Sequence, residues 1–431
     1  MKKNGEKISR LFLTNGTIFD SSTQSEMKAT IVIENGKIKE IGQIDVSPES
    51  HRVIDCPGKI ITQGFTDIHS HFREPGREDK ESLKTGALAA LAGGFTTVCV
   101  MPNTNPVIDS PESVRYIIDK SAALPVKIRP IGAITEGQLG TQLAEIGDMV
   151  DAGAVAVSDD GVPLVNGQMM RYALEYSRML GIPVINHAED VYLRNDGVMN
   201  ESALSTRLGL PGNPNISETV MVFRDLTLAE LTRGRIHIPH VSAAQTVHLI
   251  RQFKDRGVNV TAEVTPHHLM LTEDKLIDFN THAKVAPPLR RDEDRDALIA
   301  GLKDGTIDCI ATDHAPHTIE EKEEDFISAP CGMIGLESAF AVINTVLSAH
   351  GFSLKTILSL LNQCPCSVMG WDLDAIHKGK TANLAVIDPD HKWVFGDHHI
   401  YSRSRNTPFI GIELTGKVET VISGELLLQL Q

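Results

Sequence analysis

Eight short apolar runs recur between residues 60 and 311, and segments with helical spacing separate most of them. The runs lie at 60–68, 96–101, 126–133, 154–157, 183–186, 235–239, 258–264 and 307–311. Helical patterns occupy 169–180, 218–232, 243–254 and 292–302. Strands that alternate with helices make a parallel sheet, because parallel neighbours need a long crossover and a helix supplies it. Eight such units are the number a (β/α)8 barrel requires, and an open doubly wound sheet is the alternative the pattern leaves standing.

The two ends of the chain read differently. Ile31-Val32-Ile33 runs into Asn35-Gly36, a strong hairpin signal, and then into Lys37-Ile38-Lys39-Glu40-Ile41. Near the C-terminus, Leu384-Ala385-Val386-Ile387 is a buried-strand run, and two further apolar runs flank Ser423-Gly424. One accessory β-domain assembled from both termini is therefore expected. With 41% hydrophobic and 23% charged residues, the chain is neither disordered nor a membrane protein. Its greasiest stretch, 86–101, is broken by glycine and threonine, so no segment is expected to span a bilayer. The net charge, 41 − 56 = −15, repels phosphate backbones and argues against nucleic acid as a partner. Residues 1–7 are basic but lead into no apolar export segment, and the six cysteines are scattered, so a cytoplasmic, reduced protein is expected. No phosphate-binding glycine loop follows a strand; Gly93-Gly94 reads as a helix end. The run Glu320-Glu321-Lys322-Glu323-Glu324-Asp325 reads as a solvated loop or helix face with room for a lid.

A barrel carries its functional groups just beyond the C-terminal ends of its strands. The first strand ends in Asp67-Ile68-His69-Ser70-His71-Phe72-Arg73, where alternation puts His69 and His71 on one face. Two imidazoles on one face can chelate a divalent metal. The fourth strand ends in Ser158-Asp159-Asp160-Gly161 and the fifth in Asn186-His187-Ala188-Glu189-Asp190. The sixth ends in Pro239-His240-Val241-Ser242 and the eighth in Thr312-Asp313-His314-Ala315-Pro316-His317. Nitrogen and oxygen donors without cysteine suit zinc, with manganese or cobalt as substitutes. The donors exceed what one zinc uses and could hold two if a carboxylate bridges them. A divalent ion acidifies water into a nucleophile, and a nearby carboxylate can carry the proton to a leaving nitrogen.

These motifs, with Arg73-Glu74-Pro75-Gly76 and Met101-Pro102-Asn103-Thr104, resemble in this order the dihydroorotases of the amidohydrolase superfamily, most closely the longer type I bacterial form. The resemblance runs from about residue 10 to the end. It implies a (β/α)8 barrel over 61–370 and a small β-sandwich built from 1–60 and 371–431. It also implies the zinc-dependent, reversible interconversion of N-carbamoyl-L-aspartate and L-dihydroorotate in pyrimidine biosynthesis. Carried onto this sequence, it makes His69 and His71 ligands of a first zinc, His187 and His240 ligands of a second, and Asp160 the bridging carboxylate. Asp160 is preferred to Asp159 by the family spacing, 27 residues before His187, since strand geometry leaves both open. Asp313 is implied as catalytic base and metal-facing carboxylate. His71, Arg73, Asn103, His317 and the Cys331-Gly332 backbone are implied as substrate contacts. The family often forms dimers, and some type I members associate with aspartate transcarbamoylase.

Hydantoinases and allantoinases, related cyclic amidases, typically bridge two metals with a carboxylated lysine on the fourth strand. Gly153-Ala154-Val155-Ala156-Val157-Ser158 contains no lysine, which favours an aspartate-bridged site. The other alternative is a scaffold without catalysis, which would have no chemical reason to retain the ligand set. Ala286 stands where the family commonly has a substrate-contacting asparagine; Gln63 and Asn383 are lesser departures. His267 and His268 after the seventh strand are expected to pack, and His391, His398 and His399 to be solvated.

Overall fold

A computed structural model of the chain describes residues 5–44, 46 and 52–430; the basic residues 1–4 lie outside it. Eight strands carry the central region: β1 (Phe65–Ser70), β2 (Phe95–Val100), β3 (Lys127–Pro130), β4 (Val157–Ser158), β5 (Val184–Ile185), β6 (Ile236–Ile238), β7 (Val260–Val264) and β8 (Cys309–Ile310). β1, β2 and β3 pair in parallel, as do β4 through β8 in chain order. Parallel bridges join Gly132, just past β3, to Val157 of β4, and His314, just past β8, to Ser70 of β1. The pairing thus returns to the strand where it began.

Alternation along these strands sorts the side chains. Ile68, Cys99, Ile131, Ala156, Ile185 and Cys309, one from each of six strand segments, form a single buried cluster. A larger cluster packs the opposite strand faces against the helices. The four helical patterns are helices at Gly167–Leu180, Asn215–Thr232, Ala244–Asp255 and Asp292–Asp304. The helix before β2, Leu83–Ala92, opens on a reciprocal Ser82–Thr85 cap and stops at Gly93. A Cβ on Gly93 would lie 2.1 Å from the Leu336 carbonyl, and Gly94 takes φ +92°, a region open to glycine at little cost.

The first apolar run, read as one strand over 60–68, is two. Ile60–Gln63 pairs with strands from both ends of the chain, and β1 begins after Gly64. There the chain changes partners: Gly64 N–H donates to Asn383 and Phe65 N–H to Gly94. The seven-stranded sheet runs, in spatial order, Glu6–Lys7, Leu426–Gln429, Glu413–Ser423, Asn383–Val394, Ile60–Gln63, Thr17–Asp20 and Ser25–Lys28. A four-stranded sheet holds the Asn35-Gly36 hairpin, with both turn residues at positive φ. Leu11, Leu13, Ile31 and Ile33 of that sheet share one apolar core with Ile18, Ile61, Leu384 and Ile422 of the larger. Among the described residues no helix is long and apolar enough to cross a membrane.

Candidate metal centre

The ends of β1, β4, β5, β6 and β8 converge on one buried cluster. Hydrogen bonds between strand ends lock the frame. The His71 N–H donates to the His314 carbonyl, and the Asp313 N–H to the His69 carbonyl. Asp67 on β1 accepts from Thr312 at both its amide (2.9 Å) and its hydroxyl (2.6 Å), tying β8 to β1. Asp159 does the same between β4 and β3, accepting from Ile134 N–H, Thr135 N–H and the Thr135 hydroxyl. Burial pushes Asp67 up to about 7 and Asp159 up to about 6, against those hydrogen bonds.

Asp160, the next residue, points the other way. Its Oδ2 lies 3.5 Å from His69 Nε2 and 3.3 Å from His71 Nε2. Its Oδ1 lies 3.4 Å from His240 Nε2 and 3.7 Å from His187 Nδ1. One carboxylate therefore faces two imidazole pairs, one oxygen to each. Asp313 Oδ1 faces the first pair, at 3.5 Å from His69 Nε2 and 3.1 Å from His71 Nε2. Cysteine is absent from the cluster, and its donor atoms in the His69–His71–Asp160 and Asp160–His187–His240 groups lie within 4.8 Å of one another.

Burial pushes the carboxyls of Asp160 and Asp313 up, but the surrounding imidazoles outweigh it, His69 foremost, and both sit well below the usual carboxylate range. His69 is held in the opposite sense: burial lowers it, and Asp160, Glu263 and Asp313 together raise it well above the ordinary value. His69 Nε2 and Asp160 Oδ1 are buried and make no hydrogen bond. Buried polar atoms in proteins are ordinarily satisfied. Two unpaired atoms within a set of imidazole and carboxylate groups drawn from five strand ends, with His187 Nδ1 and His240 Nε2 only 2.9 Å apart, fit one or two divalent cations. His240, Asp313 and Arg73 hold left-handed backbone, at φ +33°, +46° and +57°. Such conformations cost about 1–3 kcal/mol each and gather at functional sites.

The expected substrate contacts surround this cluster. Arg73 is half-buried; its Nε donates to the Pro316 carbonyl and its Nη2 lies 3.4 Å from His317 Nε2. Burial pushes its guanidinium down to about 10, which leaves it charged at neutral pH. His317 Nε2 also lies 2.9 Å from the Cys331 carbonyl oxygen. Asn103 has a job the sequence did not indicate: its Oδ1 accepts from His71 Nδ1 at 2.8 Å, which fixes that ring. A side chain on Gly161, at φ +82°, would come within 2.9 Å of Asn103 Nδ2.

Two further groups escaped the sequence reading. Glu263, in β7, pairs with His69 Nδ1 at 2.7 Å and His237 Nε2 at 3.0 Å. It also accepts from the His240 N–H at 3.4 Å. A lone glutamate in the apolar run Val260–Val264 was the available signal. Its partner His237 sits within β6 and was hidden by the same apolar context. His267 is buried with Nε2 unpaired beside the cluster, while His268 packs between the Thr265 hydroxyl and the Pro287 carbonyl.

The fold is one shared with the hydantoinases. It superposes on an L-hydantoinase (dihydropyrimidinase) from Arthrobacter aurescens with a TM-score of 0.83 at 24% identity, covering 97% of each chain. A dihydropyrimidinase from Brevibacillus agri gives 0.82 at 21% identity, covering 97% of this chain and 95% of that one. Sequence is more specific. Residues 58–246 match the family described as dihydro-orotase-like. The chain is 47% identical to a dihydroorotase from Caldicellulosiruptor saccharolyticus, over 97% of its own length and 98% of that protein. It is 44% identical to the dihydroorotase of Caldanaerobacter subterraneus subsp. tengcongensis, over 97% of each. This chain belongs to the dihydroorotase family.

Proposed function

We propose that the chain is a zinc-dependent dihydroorotase, which closes N-carbamoyl-L-aspartate to L-dihydroorotate and water, and reverses that step, in de novo pyrimidine biosynthesis. The observation that carries this reading is the Asp160 carboxylate, with one oxygen toward His69 and His71 and the other toward His187 and His240. His69, His71 and Asp313 would hold one zinc ion and His187 and His240 the second, with Asp160 shared. Bound there, such ions acidify a water into a nucleophile and polarise the amide carbonyl. No lysine is available on β4 for the bridge expected of the hydantoinases.

The rest of the chemistry belongs to side chains. Asp313, ionised at neutral pH, takes the proton of the attacking water during ring opening and delivers it to the departing ring nitrogen. Ring closure runs in reverse and starts from protonated Asp313. The Arg73 fork grips the substrate carboxylate bidentately. Asn103 orients His71, and His317 with the Cys331-Gly332 backbone completes the pocket.

We read the circuit of parallel strands as a closed (β/α)8 barrel that begins at β1, after Gly64 rather than at 61, and runs to about 370, and the two terminal sheets as a β-sandwich built from 1–60, extended through Gln63, and 371–431. A cytoplasmic homodimer that associates with aspartate transcarbamoylase, in the manner of some type I relatives, accords with this reading. The deciding experiment is ring opening of L-dihydroorotate by metal-stripped protein before and after zinc is restored, followed by the loss of dihydroorotate absorbance. Turnover that returns with zinc is expected; none with zinc restored would overturn the assignment.

A further inference from the structure

The acidic run that suggested a lid is anchored by its one lysine. Ile319–Lys322 is a short helix capped by Thr318. Glu321 pairs with Arg77 and Lys80, while Lys322 turns inward and is 2% exposed. Its Nζ donates to the carbonyls of Pro330 (2.8 Å) and Gly332 (3.0 Å). Lys284, 3% exposed, comes from a different part of the chain. Its Nζ donates to the carbonyls of Phe326 (2.7 Å), Ile327 (2.9 Å) and Ala329 (2.6 Å), and its own carbonyl accepts the Gly332 N–H.

Two buried ammonium groups thus fasten one strip of backbone, 326–332, through five carbonyl oxygens. Among the described residues neither forms an ion pair with a carboxylate. A buried charge is tolerated when its donors are satisfied, and carbonyl dipoles do that here. They leave the positive charge itself without a counter-ion. The strip ends at Cys331 and Gly332, and Cys331 touches His317, which touches Arg73.

We propose that Lys322 and Lys284 are positioning residues for the substrate, clamping 326–332 into a fixed shelf beneath an anion-binding pocket. This rests on the reading of Cys331 and Gly332 as substrate contacts. An anionic substrate would meet a preformed surface with two uncompensated positive charges behind it. The acidic run then serves as the outer face of an anchored segment.

The test is Lys322→Met in the zinc-loaded full chain, assayed by ring opening of L-dihydroorotate. KM should rise about tenfold or more, the scale of a lost charge-assisted hydrogen bond, with kcat within about threefold. Zinc content should not change, and backbone amides over 324–332 should exchange faster. An unchanged KM, or a loss confined to kcat, would overturn the proposal. A parent protein that fails to turn over dihydroorotate with zinc restored would instead sink the functional reading, and the proposal with it.

Should the variant not fold, the parent itself carries the test. Burial pushes Lys322 down to about 8, and the charged or titratable groups facing it are Cys331, Lys284, Glu321, Lys80, His282 and His317. Burial pushes the Cys331 thiol up. Between about pH 7 and about pH 9.5, KM should climb as the ammonium loses its proton while kcat stays level. A flat KM would overturn the clamp.

Discussion

Among the described residues, two regions bring histidine and carboxylate within metal-ligand reach, and they differ in burial and in how their donors are held. One is the buried cluster at the strand ends; the other joins Asp388, His391 and Glu419 on the C-terminal strands. In the surface group, Glu419 is paired with Lys59, and Asp388 accepts the Asp390 N–H. In the buried group, His69 Nε2 and Asp160 Oδ1 lack hydrogen bonds, and the His69 and His71 rings are held from behind by Glu263 and Asn103. Proximity alone therefore does not define a metal centre. Unsatisfied donors held in orientation by a second layer do.

The largest effect should come from Asp160→Ala, which removes the carboxylate shared by both imidazole pairs. Zinc content by elemental analysis and turnover should both collapse, with affinity falling by more than the roughly 10–100-fold typical of an outer partner. Full zinc content in that variant would remove Asp160 from the bridge.

Glu263→Gln sharpens the comparison by keeping the volume and removing the charge behind His69. An amide offers one acceptor where two imidazoles need one each. Zinc affinity measured by chelator competition should fall about 10–100-fold. An unaltered affinity would make Glu263 a packing residue.

Arg73→Lys leaves the cluster intact and replaces the fork with a point charge. KM should rise about tenfold while zinc content holds, because the planar bidentate grip is lost. An unchanged KM would remove Arg73 from the pocket.

How much of this was legible in the sequence depends on where a residue sits on its strand. His69, His71, His187, His240 and Asp313 stand just past apolar runs, so strand ends alone drew them into one set. Strand geometry left the choice between Asp159 and Asp160 open, because adjacent residues at a strand end differ only in which way the backbone turns them; the family spacing to His187 alone picked Asp160. In the fold Asp159 caps Thr135 and Asp160 faces the imidazoles. Glu263 was marked only as a lone carboxylate inside an apolar run, and nothing local says which partners it faces. Lys284 and Lys322 are 38 positions apart, and only the tertiary path of 326–332 gives them a common object. The split at Gly64 was missed for a related reason. An unbroken apolar run does not reveal that its halves pair with different sheets.

The smallest effect tests the other side of the comparison. A double substitution, Asp388→Ala with His391→Ala, deletes two of the three groups that meet the distance criterion at the surface. If half-exposed donors outside the buried cluster hold no ion of their own, zinc per chain should be the same as in the parent. Stability should move by no more than about 0.5 kcal/mol, as for surface changes away from packed features. A loss of one zinc per chain would show that burial and unsatisfied donors are not what separates the two regions. Equal zinc content in this pair, beside its collapse in Asp160→Ala, would locate the metal by chemistry and leave mere proximity without a role.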